Sequence, residues 1–258
     1  MASAWFRFYE ELNDFLPPTQ RKVEFEHRHD RRASIKDMIE SLGVPHPEIE
    51  LILVNGRSVD FSHIVGDGEH ISVYPVFECL DVSPLIRLRP EPLRKPGFIV
   101  DCNLGRLARY LRLLGFDCLY RNDYQDTEVA MISHQQHRIV LTRDRKLLQY
   151  KVIDHGLFIR STSPKDQVRE VLRRLDLYSL VRPFTRCTRC NGSLRPVSKE
   201  SVDSLLQPGT RRYYDVFRQC PDCNQVYWQG SHHARTLKLI REFIEQSSDS
   251  NEKEPGNN

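Results

Sequence analysis

Apolar positions switch between two periods along this chain, and the switches outline three segments. In residues 1–80, Trp5 to Tyr9 and Val23 to His27 alternate between apolar and polar side chains, as half-buried strands do. Ser34 can cap a short helix carrying Ile35, Met38, Ile39 and Leu42, which Gly43 closes. Leu51 to Val54 is an apolar run that reads as a buried strand, and Asn55-Gly56 directly after it is a tight-turn signal. After the turn at Gly66 to Gly68, His70 to Val76 supplies a last strand. Strand, strand, helix, strand, strand predicts a β-grasp, ubiquitin-like sheet for residues 1–80.

Residues 81–96 hold Pro84, Pro90, Pro92 and Pro96 with Arg87, Arg89, Arg94 and Lys95, which predicts a stiff basic linker. From residue 97 the pattern alternates strand with helix. Phe98 to Asp101 is a short strand ending in a carboxylate. Leu104, Leu107, Ala108, Leu111 and Leu114 then recur at helical spacing until Gly115. Asp117 to Tyr120, Arg138 to Leu141 and Gly156 to Ile159 are further strands. Asp126 is a candidate cap for a helix through Val129, Ala130, Ile132 and Ser133. Ser163 with Pro164 opens another helix through Val168, Val171, Leu172 and Leu175. This alternation predicts a parallel α/β/α domain over 97–181. Residues 182–245 carry two CxxC pairs and a closing basic helix. Residues 246–258 have almost no apolar content and predict a disordered tail.

No apolar run approaches the roughly 20 residues of a membrane helix, and no signal-peptide pattern opens the chain, so the expected compartment is cytoplasmic. The net charge is +3, but it is unevenly spread. Residues 1–80 hold 8 Lys+Arg against 14 Asp+Glu, whereas residues 81–180 hold 18 against 12. The later segments therefore suit a polyanion better than the first.

The most specific local chemistry is Cys187-Thr-Arg-Cys190 with Cys220-Pro-Asp-Cys223. Four thiolates at this spacing match a closed tetrahedral Zn²⁺ site, which is structural because it leaves no open coordination position. The other three cysteines, Cys79, Cys102 and Cys118, read as small buried apolar residues. Tyr227 and Trp228 could stack on a base or pack on a zinc knuckle, and His232 and His233 are read as surface residues.

A second constellation is acidic. In a parallel α/β sheet, ligands collect beyond the C-terminal strand ends. Asp101 ends the first predicted strand, Asp123 and Asp126 follow the second with Glu128 one turn into the next helix, and Asp144 follows the third. Carboxylates gathered there suit Mg²⁺ or Mn²⁺, which activate water for phosphodiester hydrolysis. Helix capping and plain solvation compete for each of them. Arg106, Arg109 and Arg112 recur every three residues, and Arg143 and Arg145 flank Asp144. These arginines are candidate phosphate contacts, with ion pairing to the acids as the alternative.

Phe98-Ile-Val-Asp-Cys-Asn-Leu-Gly-Arg-Leu-Ala-Arg-Tyr-Leu-Arg-Leu-Leu-Gly-Phe-Asp117, Leu141-Thr-Arg-Asp-Arg145, Arg186-Cys-Thr-Arg-Cys-Asn-Gly192 and Val226-Tyr-Trp-Gln-Gly-Ser-His232 resemble the signature of the Mut-seven C-terminal RNase family. The resemblance implies a PIN-like nuclease fold joined to a zinc ribbon, with an N-terminal ubiquitin-like domain as in many bacterial members. It places Asp101, Asp126 and Asp144 at the family's acidic positions, with Asp123 and Glu128 beside them. The family is often acidic where this chain has Gln125 and Thr127, which thins the cluster. The expectation is a metal-dependent ribonuclease whose β-grasp domain meets a protein partner. A catalytically silent RNA-binding adaptor is the alternative. The segment runs on through Glu78-Cys-Leu-Asp81 where sulfur carriers end in Gly-Gly, which disfavours conjugation or sulfur transfer.

Overall fold

The computed structural model describes residues 2–30, 32–75, 96–231 and 233–245. The expected linker up to residue 95, the tail from 246, Cys79 and His232 lie outside the described residues. In chain order the elements are β1 Ala2–Phe8, β2 Phe25–His29, α1 Ile35–Ser41, β3 Ile49–Val54, β4 Arg57–Val59, β5 His70–Pro75, β6 Gly97–Val100, α2 Gly105–Leu113, β7 Asp117–Leu119, α3 Asp126–Gln136, β8 Ile139–Thr142, α4 Arg145–Leu148, β9 Gly156–Phe158, α5 Pro164–Arg174, β10 Arg195–Val197, α6 Lys199–Val202, α7 Pro208–Tyr213, β11 Phe217–Gln219, β12 Val226–Trp228 and α8 His233–Ile244. The chain divides into two compact units, Met1–Asn103 with Asp123–Phe158, and Leu104–Asn122 with Ile159–Asn258. None of the described helices is long and apolar enough to cross a membrane.

The first unit opens with a mixed sheet in the order β2-β1-β5-β3-β4. β1 and β5 run parallel at its centre, while β1–β2, β3–β5 and β3–β4 are antiparallel. Alternation on β1 sends Ala4, Phe6 and Phe8 into the core, where they meet Ile35, Ile39, Ile52 and Val73. The helix that covers this core starts where Ser34 Oγ accepts from the Asp37 backbone N–H at 3.1 Å. Asn55 and Gly56 both have positive φ, 49° and 79°, which turns β3 tightly back into β4. This is the expected β-grasp arrangement, with one short strand, β4, added to the expectation.

In the same unit β6, β8 and β9 run parallel, with β8 between the other two. Helices α3 and α4 pack on these strands. The N-terminal sheet is fixed to them. His46 Nε2 lies 2.9 Å from the Ile153 carbonyl, and the fully buried Glu48 accepts from the Phe158 backbone N–H. Arg145 lies over the rings of Phe15 and Phe158, 4.9 and 5.5 Å from their centroids, and donates to the Phe15 carbonyl at 3.2 Å.

The second unit packs α2 on α5 and α5 on α8, burying Leu107, Ala108, Leu111, Val168, Val171, Leu172 and Phe243. Gly115 ends α2 at φ 97°, a conformation that favours glycine. The ribbon strands follow in the antiparallel order β10-β11-β12.

Candidate functional site

Asp101 follows β6 and is buried at 6% exposure. Its backbone N–H donates to the Leu141 carbonyl at 3.0 Å, so the parallel ladder carries one step past the strand and holds the residue in place. The buried Thr142, at the end of β8, links two of the acids. Its hydroxyl donates to Asp101 Oδ2 at 2.8 Å and accepts from the Asp144 backbone N–H at 2.9 Å. Asp144 in turn caps α4, with Oδ1 accepting from the Lys146 N–H at 2.8 Å. One carboxylate oxygen is used in that cap, which leaves the other for a ligand.

Asp126 is the first residue of α3 rather than its cap, which corrects the expectation. Gln125 is the cap because the Glu128 carboxylate reaches back to accept from its N–H at 2.9 Å. That one-residue shift gives Glu128 a capping task on an exposed turn. Partial burial, then the negative charges of Asp144 and Asp101, raise the Asp126 carboxyl above the ordinary range. Asp126 therefore feels both other carboxylates, although among the described residues it is the four ribbon cysteines, not these aspartates, whose side chains are gathered to metal-ligand spacing. Asp123 is exposed in the loop ahead of α3.

Two members of this neighbourhood were not foreseen. Thr142 is one; its signal is a polar residue closing an apolar strand in Leu141-Thr142-Arg143-Asp144. Cys102 is the other. It is half-buried rather than buried, and a hydrogen bond with Asp101, then burial and the Asp101 and Asp126 charges, push its thiol up. The Thr142 hydroxyl orients the Asp101 carboxylate, and with Asp126 and Asp144 the donor types are hard and oxygen-rich. That chemistry fits Mg²⁺ or Mn²⁺.

The arginines divide. Arg106 and Arg109 are exposed on α2. Arg112 is 5% exposed, and its guanidinium donates to the carbonyls of Cys118 at 2.8 Å and Arg189 at 2.9 Å. It is an anchor inside the second unit and is not placed to meet a polyanion. Arg145 is held by Phe15 and Phe158, as described above. Arg143 is exposed beside Asp144.

The ribbon cysteines are brought together in the second unit. All four Sγ atoms lie within 4.8 Å of one another, with Cys187–Cys223 at 3.6 Å and Cys190–Cys220 at 3.4 Å. A tetrahedral cation with bonds of about 2.3 Å to sulfur requires sulfurs about 3.8 Å apart. The cluster is therefore close to the spacing a zinc ion needs. Both knuckles repeat one turn. The N–H of Asn191 donates to the Cys187 carbonyl and that of Asn224 to the Cys220 carbonyl, each at 2.9 Å, with both asparagines at positive φ. Gly192 passes so close to the second knuckle that a Cβ there would meet the Asp222 carboxylate and lie 2.7 Å from Cys220 Sγ. Burial works against the Cys187 thiol, but hydrogen bonds, the Tyr227 hydroxyl foremost, hold it at about 7. Burial pushes Cys190 up to about 12. The Tyr227 hydroxyl sits 3.1 Å from Cys187 Sγ, so that ring packs on the knuckle.

The family model described as Mut7-C RNAse domain matches residues 96–240, and that described as Mut7-C ubiquitin matches residues 1–81. Among solved structures, the crystal structure of H. volcanii small archaeal modifier protein 1 is 16% identical, over 29% of this chain and 98% of that one, with a TM-score of 0.24. No curated protein matches at a significant level.

Proposed function

Because this chain belongs to the Mut7-C RNAse domain family, we propose that it is a divalent-metal-dependent ribonuclease with a structural zinc ribbon. The observation that supports the reading is the Thr142 hydroxyl joining the Asp101 carboxylate to the Asp144 backbone where β6 and β8 end, with Asp126 at the start of α3. The three aspartates would hold Mg²⁺ or Mn²⁺. The cation, when bound, would supply a hydroxide nucleophile and stabilise charge on the phosphodiester. Thr142 fixes the Asp101 carboxylate and ties it to the Asp144 backbone. Arg106, Arg109 and Arg143 would hold the RNA backbone, each guanidinium matching two phosphate oxygens. Cys187, Cys190, Cys220 and Cys223 would bind zinc and fix the ribbon. The domain division follows the same reading: ubiquitin-like 1–80, linker 81–96, nuclease 97–181, ribbon and closing helix 182–245, and tail 246–258. The ubiquitin-like domain would contact a protein partner, and the protein would act in the cytoplasm.

The test is cleavage of end-labelled RNA with Mg²⁺ or Mn²⁺ by the wild type and by Asp144→Asn. Asparagine keeps the α4 cap, so loss of cutting in the variant reports on the acidic site. The reading expects metal-dependent cutting that the substitution abolishes. RNA bound but not cut by either protein would replace it with the adaptor reading.

A further inference from the structure

The second unit holds a groove of about 970 Å³ between α2, the ribbon and α8. Its lining contains no carboxylate among the described residues. Three of its arginines, Arg106, Arg109 and Arg218, are exposed and make no ion pair among the described residues. A fourth, Arg186, is already paired with Asp117 at 3.3 Å. Unpaired guanidinium groups facing one space repel each other and favour an anion that spans them.

The floor between these charges is aromatic. Trp228 is 39% exposed at the end of β12 and lines the groove. Gly230 lets the chain pass against its indole edge; a Cβ there would stand 2.7 Å from Trp228 Nε1. Phe184 lines the same space half-exposed. Its φ is 58°, a left-handed conformation that is costly for an aromatic residue, and its ring is 4.9 Å from that of His233. Backbone strain that places an apolar ring in a basic groove is a cost for folding alone, and such strain gathers at ligand clamps.

We propose that this groove is a single-stranded RNA track in which Trp228 and Phe184 stack on unpaired bases while Arg106, Arg109 and Arg218 grip the phosphates between them. It rests on the ribonuclease reading for the choice of RNA and goes beyond it by specifying single strands. Stacking needs a free base face, and a duplex buries that face within its own helix. An acidic peptide would satisfy the arginines but would leave the rings without a planar partner.

The test uses the full chain carrying Asp144→Asn, so that bound RNA is not consumed. Anisotropy of a labelled oligouridine measures affinity and its salt dependence, with a duplex of the same length and a poly-glutamate peptide as competitors. Trp228→Ala should weaken single-strand binding by about 10- to 100-fold, and Trp228→Phe should recover most of it. Arg106→Ala with Arg109→Ala should lower the slope of log affinity against log salt by about 1.4. Zinc content of each variant verifies that the ribbon is intact. Unchanged affinity in both variants overturns the proposal, as does tighter binding of the duplex or the peptide. The two readings fail separately. Metal-dependent cutting by Trp228→Ala in an otherwise wild-type chain, with unchanged KM, would sink the groove alone. Groove-dependent binding with no cutting by the wild type would sink the hydrolase alone.

Discussion

Arg112→Met isolates what the buried guanidinium does. Arg112 sits on the α2 face that also carries Ala108 and Leu111, and it ties that helix to the Cys118 and Arg189 carbonyls. The second carbonyl belongs to the first zinc knuckle. Each hydrogen bond from a charged donor contributes about 1.5–3 kcal/mol, so losing both costs about 3–6 kcal/mol. Methionine recovers part of this by removing a charge from a buried position, which leaves a net loss of about 2–4 kcal/mol. At about 3 °C per kcal/mol for a chain of this size, Tm should fall by about 6–12 °C. Calorimetry reads the shift, and a colorimetric chelator competition reads zinc release, which should become faster as the knuckle loses its support. Affinity for single-stranded RNA, measured well below Tm, should stay within about twofold because the side chain does not reach the surface. A variant that melts with the wild type and binds RNA weakly would refute the anchor role and restore Arg112 to the phosphate contacts.

Thr142→Val keeps the shape of the side chain but removes the hydroxyl shared by Asp101 and the Asp144 N–H. Cleavage should fall by about 10- to 100-fold with little change in far-UV circular dichroism, and Thr142→Ser should restore it. Cys220→Ser should reduce bound zinc, measured by atomic emission, from about one ion per chain to a small fraction, and unfold the ribbon before the β-grasp sheet in a thermal scan.

The β-grasp sheet was legible because its core is local and periodic. Ala4, Phe6 and Phe8 alternate, Ser34 caps, and Asn55-Gly56 can hardly be anything but a turn. The four cysteines were legible because two knuckles at fixed spacing allow few other readings, and the structure closes them to metal-binding range. The ribbon's helices α6 and α7 were not read, since neither reaches the length at which an apolar stripe becomes visible. β4 has three residues and no alternation to detect. The attachment of the β-grasp sheet to β9 and α4 was hidden for another reason. Its contacts pair residues about 107 to 130 positions apart, such as His46 with Ile153 and Arg145 with Phe15, and no local pattern announces them.

The arginines show where a charge pattern misleads. Arg106, Arg109 and Arg112 repeat every three residues, which suggests one basic stripe. A helix turns about 100° per residue, so each step of three falls about 60° short of a full turn. Two steps carry Arg112 about 120° from Arg106, off the exposed face and among the leucines. A buried arginine is tolerated there because backbone carbonyls, which no side-chain pattern encodes, accept its protons. The acids show the converse. Asp126 looked like a cap, and a single-residue shift to Gln125 relieves its carboxylate of that role, where burial and the Asp144 and Asp101 charges raise it. Cap and ligand draw on the same residue types, so only the register of the helix start decides between them. That register is set by the Glu128 carboxylate closing on the Gln125 N–H. Glu128 thus helps set where α3 begins, and with it the place of Asp126 one position inside the helix.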